Sequence, residues 1–276
     1  MPSGRYRGTV TVVTDETCPL FGEQGGKLTY GSYLRVPELL ELQIPESSPP
    51  AHDELLFITI HQVYELWFKL ILHELTDARN RMLTGEAYAP RVRLERSQAI
   101  MRVLVSQVDV IDTMTPQDFL AFREKLAPAS GFQSVQFREV EFLSNLKDPT
   151  YLDRFRGLTE AEEARLRERL VEPSLWDGYV TLLAHNGFPV ATEEEREVAL
   201  KQIAHDREKY GQLWDLAEAL IAHDQSLALW RSRHVLMAER QIGTKAGTGG
   251  SAGGAYLRSR LPLRCYPELW SLRSAL

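Results

Sequence analysis

The 276-residue sequence lacks the marks of several functional classes. It has only two cysteines, Cys18 and Cys265, far apart and with no CxxC pair. That argues against a zinc ribbon, an iron–sulfur cluster or a disulfide scaffold, and it fits a reducing, cytoplasmic setting. No glutamate is followed three residues later by histidine, so the Glu-x-x-His signature of di-iron bundles is missing. HExxH is missing too, because His73-Glu74 runs on into Leu75-Thr76-Asp77. There is no Gly-Lys-Ser/Thr phosphate loop. Positive charge is not in excess: the net charge is -6 and the pI about 5.7, which gives no global field for a phosphate backbone, so no nucleic-acid partner is expected. No uncharged apolar run reaches the roughly 18 residues needed to span a bilayer, and Met1 to Asp15 has no signal-like apolar stretch, so no membrane association is expected.

What the chain does have is ordinary globular composition, 43% hydrophobic and 25% charged, with length enough for a large core. Residues 1–27 mix Gly, Thr, Asp and Pro without sustained periodicity and read as an irregular N-terminal arm. From Asp53 to about Leu83 there is no Gly or Pro, and apolar groups run nearly all round the helical wheel, which predicts a central, buried helix. Thr115 before Pro116, with Asp118 three residues on, predicts a helix start, and Pro128 limits that helix. Thr159 with Glu162, and Thr192 with Glu195, have capping-box spacing. Glu193 to Gln241 is free of proline; as one helix it would reach roughly 70 Å at 1.5 Å per residue, so a break is expected near His223-Asp224, with Gly243 as the C-terminal stop. Strand signals are nearly absent outside the arm, and the fold class is all-α.

An all-helical chain without protein metal motifs that still does redox work needs an organic or haem cofactor, which a single axial histidine can hold. His234 shares a helical face with Leu227, Trp230 and Met237, and His61 has Phe57 one turn before it and Glu65 one turn after. Each alone reads most simply as a satisfied core histidine. Phe119 and Arg123 are i, i+4 neighbours; an arginine beside an aromatic face can clamp a carboxylate, although a surface ion pair is the commoner arrangement. Gly247-Thr248-Gly249-Gly250-Ser251-Ala252-Gly253-Gly254 is flexible by composition, as a linker or as a lid over a site.

The words Leu28-Thr29-Tyr30-Gly31-Ser32-Tyr33-Leu34, His52-Asp53-Glu54-Leu55-Leu56-Phe57-Ile58, His61-Gln62-Val63-Tyr64-Glu65-Leu66-Trp67-Phe68-Lys69, Phe122-Arg123 with Ser130-Gly131-Phe132-Gln133-Ser134, and Leu229-Trp230-Arg231-Ser232-Arg233-His234 with the later Gly-Thr-Gly-Gly occur in this order. Together they resemble the tryptophan 2,3-dioxygenase family. The resemblance implies a helical bundle around a b-type haem, active as Fe2+, with dioxygen as co-substrate and a long C-terminal helical pair. It implies His234 as the axial ligand of the haem iron and Ser130 close to the haem. His61 would hydrogen-bond the indole N–H, Arg123 would grip the substrate carboxylate, Phe57 and Phe119 would wall the indole, and Thr248 would sit in a loop closing on the amino-acid end. Tyr30 and Tyr33 would reach a neighbouring subunit in a homotetramer, a dimer of dimers with the 1–27 arm exchanged and residues 28–276 forming the haem domain. The implied reaction inserts O2 across the indole C2–C3 bond of L-tryptophan, giving N-formylkynurenine in the tryptophan-degrading kynurenine pathway. Alternatives on the same residues are one-oxygen insertion giving a 2-oxindole from tryptophan or its β-methyl derivative, and a non-catalytic haem or tryptophan sensor. The chain departs from the pattern at Ala252, where resembling sequences carry serine, which bears on loop closure.

Overall fold

The computed structural model describes residues 27–154 and 157–276. The arm expected over 1–27 lies, Lys27 apart, outside the described residues. The chain divides into two compact units, Met1–Ile44 and Pro45–Leu276. In the first, α1 (Tyr30–Leu34) is opened by a reciprocal cap, in which Ser32 N donates to Thr29 Oγ1 and Thr29 N donates to Ser32 Oγ. Arg35 then turns the chain at φ 54 and starts α2 (Val36–Leu40), its guanidinium paired with Glu38 at 3.0 Å.

The second unit is helical throughout, and there is no strand among the described residues. Its frame is α3 (Glu54–Leu83), α4 (Tyr88–Ile111), α5 (Pro116–Arg123), α6 (Val135–Leu143), α7 (Thr150–Arg154), α8 (Glu160–Val171), α9 (Leu175–His185), α10 (Glu193–His205), α11 (Arg207–Ile242), α12 (Gly254–Ser259) and α13 (Pro267–Leu272). α3 buries Phe68, Ile71, Leu72, Leu75, Ala78 and Met82, a stripe at i, i+3, i+4, i+7 spacing. It packs on α4, which answers with Leu94, Ile100, Met101, Leu104 and Val108, and α4 in turn packs on α11. Each such side chain contributes about 1.5–3 kcal/mol on burial, so the α3–α4–α11 contact holds the unit together. α6 and α9 cover other parts of α3.

The central helix is not buried all round as its pattern predicts. Leu55, Leu66 and Leu70 are exposed in this chain, a face that no other described element of the unit covers. By length and mean hydropathy α3 also matches a membrane span, but its apolar stripe is used against α4, α6 and α9. Its buried Glu74 is paired with Arg96 at 2.8 Å.

The three predicted helix starts are present, each with both halves of a capping box: Thr115 with Asp118, Thr159 with Glu162, Thr192 with Glu195. The predicted break is displaced. It falls at Asp206, whose side chain accepts from Lys209 N at 3.2 Å, with a kink at Tyr210, while α11 runs unbroken through His223-Asp224. Those two residues are fully buried, and other elements bond one polar atom of each, leaving His223 Nδ1 and Asp224 Oδ1 without a partner. His223 Nε2 meets Ser144 Oγ at 2.9 Å, and Asp224 Oδ2 accepts from Cys265 N at 2.9 Å, Tyr266 N at 3.4 Å and Trp270 Nε1 at 2.8 Å. This joint ties the C-terminal segment and α13 to the middle of α11. Gly243 ends α11 as expected, at φ 58 with its N–H on the Glu239 carbonyl.

Burial pushes His223 down to about 4. Below the unfolded value near 6.5 the unfolded chain binds this proton and the folded chain does not, so stability is lost as pH falls from about 6.5 towards 4. In denaturant titrations His223→Gln should remove about 3 kcal/mol of the stability lost over that window, the buried His61 and His234 keeping their own shares. An identical pH slope in the variant would show that the site is not dry.

Candidate active site

α3, α5, α6 and α11, with the loops that follow α5 and α11, surround a cavity with about 1240 Å³ of empty space, counting its open mouth. Phe57 and Phe119 stack at 5.6 Å, and Phe122 meets both edge-on, so the α3–α5 side is an aromatic wall. His61 stands on this wall with its ring 4.1 Å from that of Phe57. Its Nδ1 lies 2.7 Å from the Phe57 carbonyl oxygen, which can only accept, so Nδ1 carries the hydrogen and Nε2 keeps its lone pair. Burial lowers the His61 pKa, against the opposing pull of the Phe57 carbonyl and the Glu65 charge. The cavity thus holds a neutral imidazole with a free acceptor.

His234 lines the same cavity from α11. Trp230, one turn earlier, stacks on it at 5.1 Å with 12° between planes and fixes the ring's tilt. Burial, then the charge His61 would carry, pushes His234 down to about 4. Among the described residues neither of its ring nitrogens has a hydrogen-bond partner. A neutral imidazole with a lone pair directed at no protein donor is the state a metal ligand needs.

Arg123, at the end of α5, makes no ion pair with a described residue, so the surface-pair reading does not apply. Its Nη2 donates instead to the carbonyl of Ala246 in the glycine-rich loop, and its buried Nε has no partner. That loop lies folded over the cavity edge. Thr248 Oγ1 donates to the Ala129 carbonyl at 2.6 Å, and Gly250 N to the Gly247 carbonyl at 3.0 Å. Ser130, on the strip that receives the loop, caps the following turn by accepting from Phe132 N at 3.3 Å, and its neighbour Gln133 accepts from Ser130 N. Gly249 is required here: a Cβ would stand 2.7 Å from Ser130 Cβ.

Phe57, His61, Phe119, Arg123, Ser130, His234 and Thr248 therefore line one cavity. Tyr30 and Tyr33 belong to the other unit, where both stand on α1 at 78% and 73% exposure. Sequence reasoning missed a cationic corner of the cavity made by Arg138, Glu141, Arg231 and Arg260. Nothing in composition marked it; the i, i+3 spacing of Arg138 and Glu141 inside the apolar α6 was the available signal. Arg138 Nε, Arg231 Nε and Nη1, and Arg260 Nε are buried without acceptors, and each such donor costs about 1–3 kcal/mol while unsatisfied. Among the described residues no group of three or more His, Cys, Asp or Glu gathers for a metal ion. The haem implied by the family resemblance fits these residues: apolar walls for a flat ring, one unpartnered neutral imidazole for iron, and orphaned guanidinium donors for carboxylates.

Fold and site together define an all-α protein with a deep aromatic cavity that gathers two neutral histidines and a set of under-satisfied arginines. The comparisons with known proteins then place it. The family described as Tryptophan 2,3-dioxygenase matches residues 16–177 and 192–276. A protein named Tryptophan 2,3-dioxygenase from Nocardioides sp. is 62% identical over 260 residues, covering 93% of this chain and 97% of its own length. Others of that name, from Herpetosiphon aurantiacus and Xanthomonas campestris, are 46% and 39% identical, over 90% and 91% of this chain and 98% and 88% of their own lengths. The chain belongs to the tryptophan 2,3-dioxygenase family.

The Gly249→Ala variant is expected to lift the loop off Ser130. Limited proteolysis within residues 243–253 should then be at least several-fold faster than in the parent, and an unchanged cleavage rate would mean the loop docks without that close approach.

Proposed function

We propose that the chain oxidises L-tryptophan with dioxygen to N-formylkynurenine, at a b-type haem that His234 would hold in this cavity through its iron and that would be active in the ferrous form. The observation that carries this reading is the pairing, in one cavity, of His61 with a bare Nε2 and Arg123 with no carboxylate partner. When bound, the haem supplies the dioxygen chemistry that no side chain offers. His61 accepts the indole N–H at Nε2 while its own hydrogen stays on Nδ1, donated to the Phe57 carbonyl, which sets the ring's direction. Arg123 exchanges the Ala246 carbonyl for the substrate carboxylate, a stronger, charge-assisted partner. Attachment at both ends leaves the C2–C3 edge in a fixed place, which is where catalysis by orientation comes from. Phe57 and Phe119 flank the indole, and Thr248 and its loop close over the amino-acid end, excluding water.

The charge pattern suits this substrate. Neutral histidines do not repel the indole N–H, and a cationic Arg123 selects a carboxylate. Mixing the ferrous, haem-loaded full chain with L-tryptophan in air should yield a product that has gained two oxygen atoms by mass. A product with one added oxygen, or none, would contradict the proposal.

We further propose a homotetramer, with Tyr30 and Tyr33 serving a neighbouring copy. Their exposure on α1 supports it, as do the uncovered apolar side chains Leu66 and Leu70 on α3 and Leu229 and Leu236 on α11. Light scattering of the full chain should give the mass of four copies, and a monomer at micromolar concentration would refute the assembly.

A further inference from the structure

The cationic corner holds more positive charge than the protein offsets. The side chains of Arg138, Glu141 and Arg231 are 7%, 2% and 5% exposed, and both arginines share the one carboxylate, Arg231 Nη2 reaching Glu141 Oε1 at 2.8 Å and Arg138 Nη1 taking Oε2. Arg260, partly buried, adds a third guanidinium; it has no ion pair among the described residues, and its charge helps lower the pKa of Asp148. Three guanidiniums with one carboxylate in direct contact leave two positive charges without an ion-paired partner. Buried charge of that kind needs a counter-charge. Aromatic rings fix the guanidinium planes: Arg138 lies 4.1 Å and Arg260 5.4 Å from the Tyr151 ring centre, and Arg138 5.3 Å from that of Phe132. The free N–H groups are therefore confined to the in-plane directions.

L-tryptophan cannot balance this corner, because its carboxylate is matched by its own ammonium. A haem with two carboxylates does. We infer that Arg138, Arg231 and Arg260 anchor the two haem carboxylates, and that Glu141 is a positioning residue that holds Arg138 and Arg231 in register. The inference rests on the haem reading above and goes beyond it by assigning the carboxylate anchor to these side chains and fixing its charge. Arg231 lies three residues before His234 on α11, so one helical turn carries both the axial imidazole and a carboxylate anchor. A rigid ligand held at both points has its rotation in the cavity set by α11 alone.

The test is a titration of the full-length apoprotein with ferric haem b and, separately, with haem b dimethyl ester, followed at the Soret band. The parent protein should bind haem b about 100-fold more tightly than the ester, as expected for two charge-assisted contacts. In Arg260→Gln that preference should shrink by about tenfold, with the band position that reports His234 ligation unchanged. The comparison in the parent chain does not depend on any variant folding. Equal affinity for haem b and its ester, or a preference that Arg260→Gln leaves intact, would overturn the anchor while leaving the haem reading standing. Failure of the parent chain to bind either porphyrin, or a spectrum that His234→Ala does not alter, would overturn the haem reading itself and the anchor with it.

Discussion

Two imidazoles kept unprotonated inside one apolar cavity are the constraint on which the site depends. A cationic histidine at either place would repel the other and would also repel an N–H donor or a metal cation. Burial removes the proton from His61 and His234 alike. The Phe57 carbonyl then decides which nitrogen of His61 keeps its hydrogen. One backbone acceptor, one turn away on the same helix, thereby converts a generic core histidine into a directed acceptor.

α11 carries that constraint into the fold. One end of it presents Arg231 and His234 to the cavity, while its middle is fastened through His223 and Asp224 to Ser144, Cys265, Tyr266 and Trp270. The same helix packs along α4, which supports α3 and hence Phe57 and His61. The two histidines are thus set on rigid elements joined through a shared neighbour, while the adjustable parts, Arg123 and the glycine-rich loop, meet each other at the edge. A site built this way keeps its reacting edge fixed and lets only its cover move.

Much of this was legible in the residues. Capping pairs at Thr115, Thr159 and Thr192 marked helix starts because such pairs are local and need no tertiary partner. The run from Asp53 to Leu83 marked its helix by periodicity, but its full apolar circumference exceeded what one chain buries. The break was misplaced because local sequence cannot reveal that His223 and Asp224 are bonded by residues distant in the chain, whereas Asp206, a side chain that caps its own helix, was the better local signal. Among the site residues, those implied by the resemblance to the family and belonging to the second unit converge on one cavity. The arginine corner stayed hidden since the Arg138–Glu141 pair of α6, Arg231 and Arg260 come from three separate segments, and their mutual burial exists only after folding.

The most direct check on this account is nitrogen NMR of the histidine side chains in the full-length apoprotein at neutral pH. The predicted spectrum for His61 is that of a neutral ring with hydrogen on Nδ1 and none on Nε2. A signal from a protonated ring, or from the opposite tautomer, would contradict the account, because the cavity would then offer a donor where an acceptor is required.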